Sequence, residues 1–254
     1  MHQPTLRVLE VLELIAKDGE GRRLADLSRD LNIAKSTLVP ILQTLCQLRY
    51  LSQNEGGRYQ AGTALFGLGA AFAGKFPVLK YVHSQLEDLV AQLGETCYFG
   101  VLDGGQVLYL EKADSLQPLR MLTSVGHRLP AYATGIGKAL LSGLPDDFVR
   151  DLYAEGMKPL TEHTITDIEQ LTAQLEQTRQ QGFSWEVEES TPHVRCFAVP
   201  VRKFGNVVAA ISISVPLFRY EESQRDNILS QLKSAAGQMQ QTFEQTNAHF
   251  TDIF

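Results

Sequence analysis

Two segments near the C-terminal end carry small polar side chains at alternating positions. Residues 207–215 place Ser212 and Ser214 on one face of a predicted strand, with Ile211 and Ile213 on the other face. The preceding predicted strand, residues 194–203, offers Cys196 in the same way. Small side chains leave space, and hydroxyl groups donate and accept hydrogen bonds. This pattern favours a pocket for a small polar ligand.

The connection between these two strands decides whether their small faces meet. A three-residue loop at residues 204–206 sets Cys196 opposite Ser214 on one face of the sheet. A two-residue turn at residues 205–206 places them on opposite faces, because a slip of one residue reverses a strand. The sequence leaves both registers open, and a shared pocket requires the first.

A second polar feature is the run Thr134-Gly135-Ile136-Gly137 at the start of a predicted helix. Free N–H groups at a helix N-terminus favour an anion, and glycine lets a ligand approach the backbone. The alternative is a close contact between helix and sheet that requires glycine. The run lacks the GxxxxGKS spacing of a phosphate-binding loop.

Catalysis is the rival interpretation of the same region, with Cys196 as nucleophile and His193 as its base. Three residues apart on an extended strand, these side chains point to opposite faces. The cysteines Cys46, Cys97 and Cys196 are far apart in sequence, which supports neither a disulfide framework nor a zinc site. We therefore predict a binding protein that uses no metal or cofactor, and not an enzyme.

The first 62 residues suggest a different chemistry, the recognition of a nucleic acid. A predicted helix has an apolar face of Leu38, Ile41, Leu42 and Leu45 and an opposite face of short polar residues: Ser36, Pro40, Gln43 and Gln47, flanked by Thr37 and Thr44. Lys35 stands at its N-terminal end, and Gln43 can bond adenine in bidentate fashion. Such a helix fits a major groove as the second helix of a helix-turn-helix. The alternative is a plain three-helix bundle with a solvated polar face.

A predicted hairpin directly after this helix strengthens the nucleic-acid interpretation. Residues 50–53 and 58–61 flank Asn54-Glu55-Gly56-Gly57, whose glycines supply the positive φ of a tight turn. A hairpin in this place is a wing, and Arg58 can neutralise a phosphate. Residues 1–62 carry a net charge of +1 and the remainder −7, so an acidic body has a locally basic end.

Hydrophobic periodicity predicts the elements that position these groups. Residues 63–75 form a linker helix with Thr63 as N-cap, and its apolar stripe favours packing against a second copy in a dimer. The alternative is packing of this stripe on its own domain. Further helices and strands follow: helices at residues 79–93, 133–142, 167–181 with Thr166 as N-cap, and 221–243, and strands at residues 97–103 and 106–113 joined by Gly104-Gly105. Antiparallel hairpins with interspersed helices predict an α+β domain.

Composition is that of a globular protein without a membrane span. The 254 residues are 44% hydrophobic and 20% charged. No apolar run is long enough to cross a bilayer, and the first residues lack the pattern of a signal peptide. We expect a cytoplasmic protein with no membrane partner.

The chain resembles the IclR family of transcription regulators over essentially its whole length. Five motifs in order carry the resemblance: Lys35-Ser36-Thr37 with Leu42-Gln43-Thr44-Leu45, Gly57-Arg58-Tyr59, residues 135–141 (GIGKALL), residues 194–201 (VRCFAVPV) and residues 210–214 (AISIS). The resemblance implies a winged helix followed by a GAF-like or profilin-like effector domain with an antiparallel sheet flanked by helices. It also implies double-stranded operator DNA, small carboxylic acids such as sugar or keto acids, homodimers or homotetramers, and most often repression.

The predicted domains and site residues follow from the motifs and the resemblance together. Residues 1–62 are the predicted winged helix, 63–76 the linker helix and 77–254 the effector domain. Residues predicted to contact DNA are Arg22, Lys35, Ser36, Thr37, Val39, Pro40, Gln43, Thr44 and Arg58. Those predicted to contact the effector are Met121 and Leu129 as apolar walls, Gly135 and Ile136 through backbone N–H groups, and Glu186, Cys196, Ser212 and Ser214.

Three positions depart from the family pattern. Pro40 stands where relatives usually carry Arg, so a DNA-contacting guanidinium is lost, and the helix is expected to begin late or to kink. His193 stands where relatives usually carry Gly. Glu186 replaces the more frequent Asp, and its extra methylene changes the reach into the pocket. These departures put the operator sequence and the identity of the effector in doubt, and not the fold.

Overall fold

The computed structural model describes residues 1–16, 20–75, 77–118 and 123–246. They form two compact units, Met1–Lys75 and Phe76–Phe254. Together they give an α+β protein with a helix-turn-helix in its N-terminal unit.

The N-terminal unit is a small helical bundle closed by a hairpin. Its elements are α1 (Gln3–Ala16), α2 (Leu24–Asp30), α3 (Lys35–Gln47), β1 (Leu51–Gln53), β2 (Tyr59–Ala61) and α4 (Thr63–Ala73). The apolar faces of the first three helices meet in a core that contains Val11, Ile15, Leu27, Leu38 and Leu42. Asn32 follows α2 with φ of 52°, the left-handed conformation that asparagine tolerates at a helix end.

Helix α3 runs without interruption through Pro40, so the expectation that it begins late was wrong. The ring removes the N–H that would bond to the carbonyl of Ser36, four residues earlier. The Thr44 hydroxyl donates to the Pro40 carbonyl at 2.8 Å, which adds a local bond at the same turn.

The hairpin has a longer turn than its two glycines predicted. Gln53 pairs with Tyr59, so residues 54–58 connect the strands. Only Gly57 of the glycine pair has a positive φ, at 72°, while Asn54 organises the turn by accepting hydrogen bonds from the N–H groups of Gly57 and Arg58. The turn is therefore built by an asparagine and one glycine.

Helix α4 has apolar residues all around it and none that is buried. Phe66 is 81% exposed, and Leu68 and Phe72 are also exposed. Its N-cap is Gly62 and not Thr63. Residue 62 must be glycine, because a side chain there would collide with the carbonyl of Arg49. The predicted cap was therefore wrong by one residue.

The second unit is built on an antiparallel sheet. Among the described residues its strands are β3 (Thr96–Asp103), β4 (Gln106–Ala113), β5 (Arg128–Pro130), β6 (Ser184–Val187), β7 (Val194–Lys203) and β8 (Asn206–Pro216), in the order 5-4-3-8-7-6. Helices α5 (Leu79–Leu93), α6 (Gly135–Leu141), α7 (Asp146–Leu152), α8 (Ile168–Gln181) and α9 (Arg225–Gln245) flank it. Gly104 and Gly105 both have positive φ, as the predicted hairpin between β3 and β4 requires.

Two apolar clusters cover the two faces of this sheet. Helices α5 and α9 pack on one face over Phe99, Phe197, Ile211 and Ile213. Helix α6 packs on the other face, over Ala198, Ala210 and Tyr98. Strand alternation therefore sends neighbouring residues of one strand into different cores.

The connection between β7 and β8 differs from both predicted loops. Lys203 pairs with Asn206 across a two-residue turn of Phe204 and Gly205, which have φ of 49° and 84°. A register shift then follows between Val201 and Arg202. Beyond this bulge the strands pair in the register predicted for the three-residue loop, with Cys196 opposite Ser214.

Helix α8 begins with Asp167 as its N-cap, and the predicted cap Thr166 was wrong. The Asp167 side chain accepts a hydrogen bond from the N–H of Gln170 at 2.9 Å. Aspartate and threonine are both good caps, so the sequence alone gave no reason to choose between neighbours.

Candidate functional site

A small cavity lies between the start of α6 and the sheet face that carries the serines. Its lining comes from β3, β4, β5 and the segment before it, β7, β8, the start of α6 and the loop after β6: Tyr98, Tyr109, Thr123, Leu129, Thr134, Gly135, Ile136, Ser190, Thr191, Val194, Cys196, Ser212 and Ser214. Its enclosed volume is about 20 Å³, room for about one water molecule. A larger ligand requires side chains or loops at its wall to move.

The strand register brings three predicted effector residues together in this cavity. Cys196 pairs with Ser214, and the Cys196 Sγ lies 3.2 Å from the Ser214 Oγ. Ser212 lies two residues away on the same face and is also buried. The two serine hydroxyls therefore face the same enclosed space.

The start of α6 supplies backbone N–H groups at the opposite wall. The Thr134 side chain caps the helix by accepting from the Gly137 N–H at 3.0 Å, and the Thr134 carbonyl accepts from the Lys138 N–H at 3.0 Å. The amide groups of Gly135 and Ile136 precede these bonds and line the cavity. The first N–H groups of a helix have no partner within the helix, so binding of an anion by these two residues stays a prediction.

The same two glycines also permit a close contact, the alternative that the sequence had left open. A Cβ on Gly135 would lie 3.1 Å from the Cβ of Cys196. A Cβ on Gly137 would lie 2.2 Å from the carbonyl oxygen of Ala131, which no side-chain movement relieves. Gly137 is thus needed for packing, whereas Gly135 both packs closely and lines the cavity.

Tyr98 is a polar residue of the cavity that sequence reasoning missed. It pairs with Ser212 on β8, and its ring meets Tyr109 edge to face at 5.3 Å. Its hydroxyl is buried and forms no hydrogen bond of ordinary geometry among the described residues, although the Thr123 side chain is close enough to lower its pKa. Burial raises the pKa of Tyr98, so the phenol stays protonated and can donate to a ligand. Alternation along β3 was the signal that could have found it.

Glu186 lies behind the cavity wall rather than in it. One carboxylate oxygen accepts from the Glu189 N–H at 2.7 Å and the other from the Ser190 hydroxyl at 3.1 Å. Burial raises the pKa of Glu186, and hydrogen bonds to its carboxylate oppose that shift. Both oxygens thus hold the chain after β6, whereas the sequence predicted a bond to a ligand hydroxyl or a water.

A buried ion pair next to this carboxylate was also missed. The side chain of Lys138 is 0% exposed, and its Nζ lies 2.6 Å from the Oε1 of Glu189. Burial lowers the pKa of Lys138 and raises that of Glu189, and their mutual attraction opposes both shifts. The partners are 51 residues apart in sequence, so no local sequence pattern predicts the pair.

The remaining effector predictions have simple outcomes. Leu129 lines the cavity. Met121 lies outside the described residues. His193 and Cys196 do not approach one another as a catalytic pair would: the His193 side chain is 87% exposed beside Glu188, and burial raises the pKa of the Cys196 thiol.

In the N-terminal unit, α3 presents most of its predicted DNA contacts on the surface. Lys35, Ser36, Pro40, Gln43 and Thr44 are exposed, and Thr37 and Val39 are half-buried. The opposite side of the helix is closed by Leu38, Leu42 and Leu45. The described elements of the N-terminal unit leave this polar face exposed, so it can enter a DNA groove.

The two predicted arginines outside α3 are tied into the protein. Arg58 donates from Nη1 to the carbonyl of Gly21 at 2.9 Å, and Arg22 forms an ion pair with Asp30. Arg22 also pairs with Tyr59 as an isolated bridge beside the hairpin. Both side chains are half-buried, so they hold the hairpin against the start of α2.

Family models match both parts of the chain. The model for the IclR helix-turn-helix domain matches residues 5–55, and the model for the bacterial transcriptional regulator IclR C-terminal domain matches residues 70–241. Among the described residues, no helix has the length and apolar character needed to cross a membrane.

Individual relatives give the same result. The chain is 37% identical over 235 residues to the HTH-type transcriptional regulator KdgR of Escherichia coli, covering 90% of this chain and 89% of KdgR. It is 30% identical over 221 residues to the transcriptional repressor AllR of the same species, covering 86% and 82%. A solved structure of a putative transcriptional regulator from Rhodococcus sp. RHA1 has 27% identity and a TM-score of 0.79, covering 95% and 98%.

Regulators of this kind bind operator DNA through the helix-turn-helix domain and a small effector in the C-terminal domain. The chain belongs to the IclR family of transcription regulators, and it is a DNA-binding regulator and not an enzyme.

Proposed function

We propose that this regulator is a repressor whose operator affinity is set by a small carboxylic acid, such as a sugar acid or keto acid. Residues 1–62 bind the operator, residues 63–76 join the domains, and residues 77–254 bind the effector. The observation that carries the proposal is the buried polar cavity between α6 and β8. The name of the relative AllR, a transcriptional repressor, supports the direction of control.

The cavity suits a carboxylate that also carries a hydroxyl or keto oxygen. The N–H groups of Gly135 and Ile136 bind the carboxylate at the positive end of α6. Ser212 and Ser214 bond to the carboxylate or to a second oxygen, and the buried Tyr98 hydroxyl donates to a further acceptor. An acid with several oxygens fits these groups better than a plain fatty acid does.

The regulatory step follows from linkage. The effector acts only if it binds one arrangement of the effector domains better than the other, and it shifts the equilibrium by that difference in affinity. In a dimer, this difference changes the spacing of two winged helices on two half-sites. Operator affinity then falls because only one spacing matches the DNA.

Dimer formation has a candidate surface in α4. Phe66, Leu68 and Phe72 are exposed on a helix that carries no charged side chain. Large exposed apolar side chains on one short helix indicate a contact with another chain. Phe66→Ser is expected to raise the dissociation constant of the dimer in sedimentation experiments, whereas Phe204→Ser, another exposed phenylalanine, leaves it unchanged. An unchanged mass for both variants would remove α4 from the interface.

The first test is a thermal-shift screen of small keto, hydroxy and sugar acids, with the matching amides and alcohols as controls. We expect an acid to raise the melting temperature and its neutral analogue to have no effect, because the free N–H groups at the helix start favour an anion. The hit is then added to a complex with duplex DNA selected from a random pool. Repression controlled by the effector predicts lower DNA affinity in its presence.

Variants of the serines test the site itself. Ser212→Ala combined with Ser214→Ala is expected to weaken effector binding by roughly 10- to 100-fold, since each lost hydrogen bond is worth about 0.5–1.5 kcal/mol. Ser84→Ala, an exposed serine on α5, is the control and leaves binding unchanged. An unaltered thermal shift in the double variant would show that the effector binds elsewhere.

DNA recognition is tested on α3 in the same binding assay. Lys35→Ala is expected to weaken binding to all sequences and to lower the slope of log K against log salt by about 1. Gln43→Ala is expected to relax selectivity at one base pair and to leave the salt slope unchanged. If both variants bound every duplex like the parent protein, α3 would not be the helix that reads DNA.

A further inference from the structure

The chain between β6 and β7, residues 188–193, forms one wall of the cavity; we call it the β6–β7 loop. Ser190 and Thr191 line the cavity on its inner side, together with Val194 at the start of β7. Pro192 and His193 on its outer side are exposed. This loop therefore separates the cavity from solvent along part of its surface.

The backbone at the two ends of the loop adopts a conformation that is unfavourable for its residues. Glu188 and His193 have φ of 57° and 62°, in the left-handed region that favours glycine. The Glu188 N–H donates to the Val194 carbonyl at 2.8 Å, which closes the loop at its base. Strain of this kind persists only where surrounding contacts hold the backbone.

Buried charged groups supply part of that hold. Lys138 of α6 pairs with the side chain of Glu189, and Glu186 of β6 accepts from the N–H of Glu189 and the hydroxyl of Ser190. All of these bonds end on two adjacent residues of the loop. The hydroxyl of Thr164 adds a bond to the Glu189 carbonyl at 2.7 Å.

We propose that Lys138 and Glu186 are positioning residues for the effector site, which hold the β6–β7 loop over the cavity and set how readily it opens. The proposal rests on the proposed function, because it takes this cavity as the effector site. Glu186 then acts on the effector through Ser190, and not by direct contact. Lys138 has the same role from the other side, through Glu189.

The geometry explains why charged groups are suited to this role. A buried ion pair adds little net stability when it is intact, since desolvation offsets the attraction. It resists any movement that separates the partners, because each would be left as an uncompensated buried charge. A loop held in this way keeps a defined closed position and still opens as a unit.

The test measures opening of the loop by alkylation of Cys196 with iodoacetamide, followed by mass spectrometry of the free protein. Cys196 lies in the cavity beneath the loop, and Cys97 is buried in the core on the other sheet face. Cys97 is the internal control, because only loss of the whole fold exposes it. Besides burial, the neighbouring Glu186 carboxylate raises the pKa of the Cys196 thiol, so Lys138→Met, which keeps that carboxylate, is the variant whose Cys196 rate reports opening.

We expect Lys138→Met to raise the alkylation rate of Cys196 by about tenfold or more, with the rate of Cys97 unchanged. Glu186→Gln keeps one oxygen acceptor and is expected to give a smaller rise in the same direction. Arg150→Met, which breaks an exposed ion pair with Glu169, is the control and should alter neither rate. Because Glu186→Gln also changes the charge beside the Cys196 thiol, hydrogen exchange of the loop amides measures opening in that variant, and it carries the test if Lys138→Met does not fold.

Two results would overturn the proposal. Equal rises at Cys196 and Cys97 would mean that these residues support only the global fold. An unchanged rate at Cys196 in a folded variant would mean that they do not hold the loop. The rates are measured without any added acid, so their outcome is independent of the thermal-shift screen that tests the proposed function.

Discussion

The two faces of the effector-domain sheet are made by alternate residues of the same strands, yet they differ in chemistry. On β3 and β8, Phe99, Ile211 and Ile213 enter an apolar core under α5 and α9. Their neighbours in the same strands, Tyr98 and Ser212, enter the cavity on the α6 side. One strand therefore contributes to a closed core and to a polar site at once.

This difference teaches that stability and ligand selection are separable here. The face under α5 and α9 buries large side chains, including Phe99 against Phe243 with ring centroids 6.1 Å apart. The face under α6 accepts small residues, glycines and buried hydroxyls near Cys196. Substitutions of the large side chains on the first face should alter the free energy of unfolding, and those of the cavity-lining hydroxyls on the second should alter ligand affinity.

The largest expected effect is on the apolar face. Phe99→Ala is expected to lower the free energy of unfolding by about 3–5 kcal/mol, because it removes a fully buried ring and leaves a cavity. Ser212→Ala on the other face of the sheet should change it by no more than about 1 kcal/mol. Urea unfolding followed by circular dichroism measures both. Equal losses would show that the two faces are not separable.

A glycine sharpens the comparison on the α6 face. Gly137→Ala is expected to lower the free energy of unfolding by about 1–3 kcal/mol, because its Cβ would meet the backbone at Ala131. Gly237→Ala in α9 is the matched control, since its Cβ would meet nothing within 4 Å. That control should stabilise the protein by roughly 0.5–1 kcal/mol. A neutral Gly137→Ala would contradict the close packing of α6.

Tyr98 tests whether a buried hydroxyl on this face serves the ligand. Tyr98→Phe is expected to lower effector affinity by about tenfold and to leave the free energy of unfolding unchanged or slightly higher. Tyr153→Phe is the control, because its hydroxyl already donates to the Gly105 carbonyl at 2.8 Å. It should cost stability without changing affinity in isothermal titration. Unchanged affinity in Tyr98→Phe would exclude its hydroxyl from the effector site.

The smallest expected effect is the pH dependence that comes from Glu186. Its folded pKa is raised above its ordinary value of about 4.5, so the unfolded chain ionises first as the pH rises. The wild-type protein therefore loses stability relative to Glu186→Gln between pH 4.5 and the folded pKa, and the difference is constant above it. Urea unfolding at several pH values from 4.5 to 7.5 measures this difference.

Glu169 provides a control of opposite sign for this prediction. The hydrogen bond from Arg150 holds the pKa of Glu169 below its ordinary value, so its contribution is lost only as the pH falls below about 4.5. The difference between wild type and Glu169→Gln should therefore stay flat from pH 4.5 upward. A flat difference for Glu186→Gln as well would contradict the raised pKa.

Local patterns in the sequence predicted most of the elements and much of the cavity. The alternation along β8 separated Ser212 and Ser214 from Ile211 and Ile213, because a strand has a period of two residues. The Gly104-Gly105 pair predicted its hairpin, because each glycine adopts a positive φ without steric cost. The motif at Gly135 predicted the start of α6 by the same kind of local reasoning.

Helix caps and loop lengths were less predictable, because neighbouring residues offered equal local chemistry. Asp167 caps α8 in place of Thr166, and Gly62 precedes α4 in place of Thr63. The register of β7 and β8 is set by a two-residue turn and a bulge at Val201, whose effects on register compensate. This register depends on which side chains of both strands pack into the two apolar clusters, so the sequence of one strand alone does not determine it.

The sequence by itself determined the family, the order of the elements and the faces of the strands, because these depend on residue types at short spacing. Only the tertiary structure decided that Glu186 holds a loop and that Lys138 meets Glu189 across 51 residues. Contacts between distant segments are settled by packing and by the need to pair every buried charge. That requirement acts only once the chain is folded.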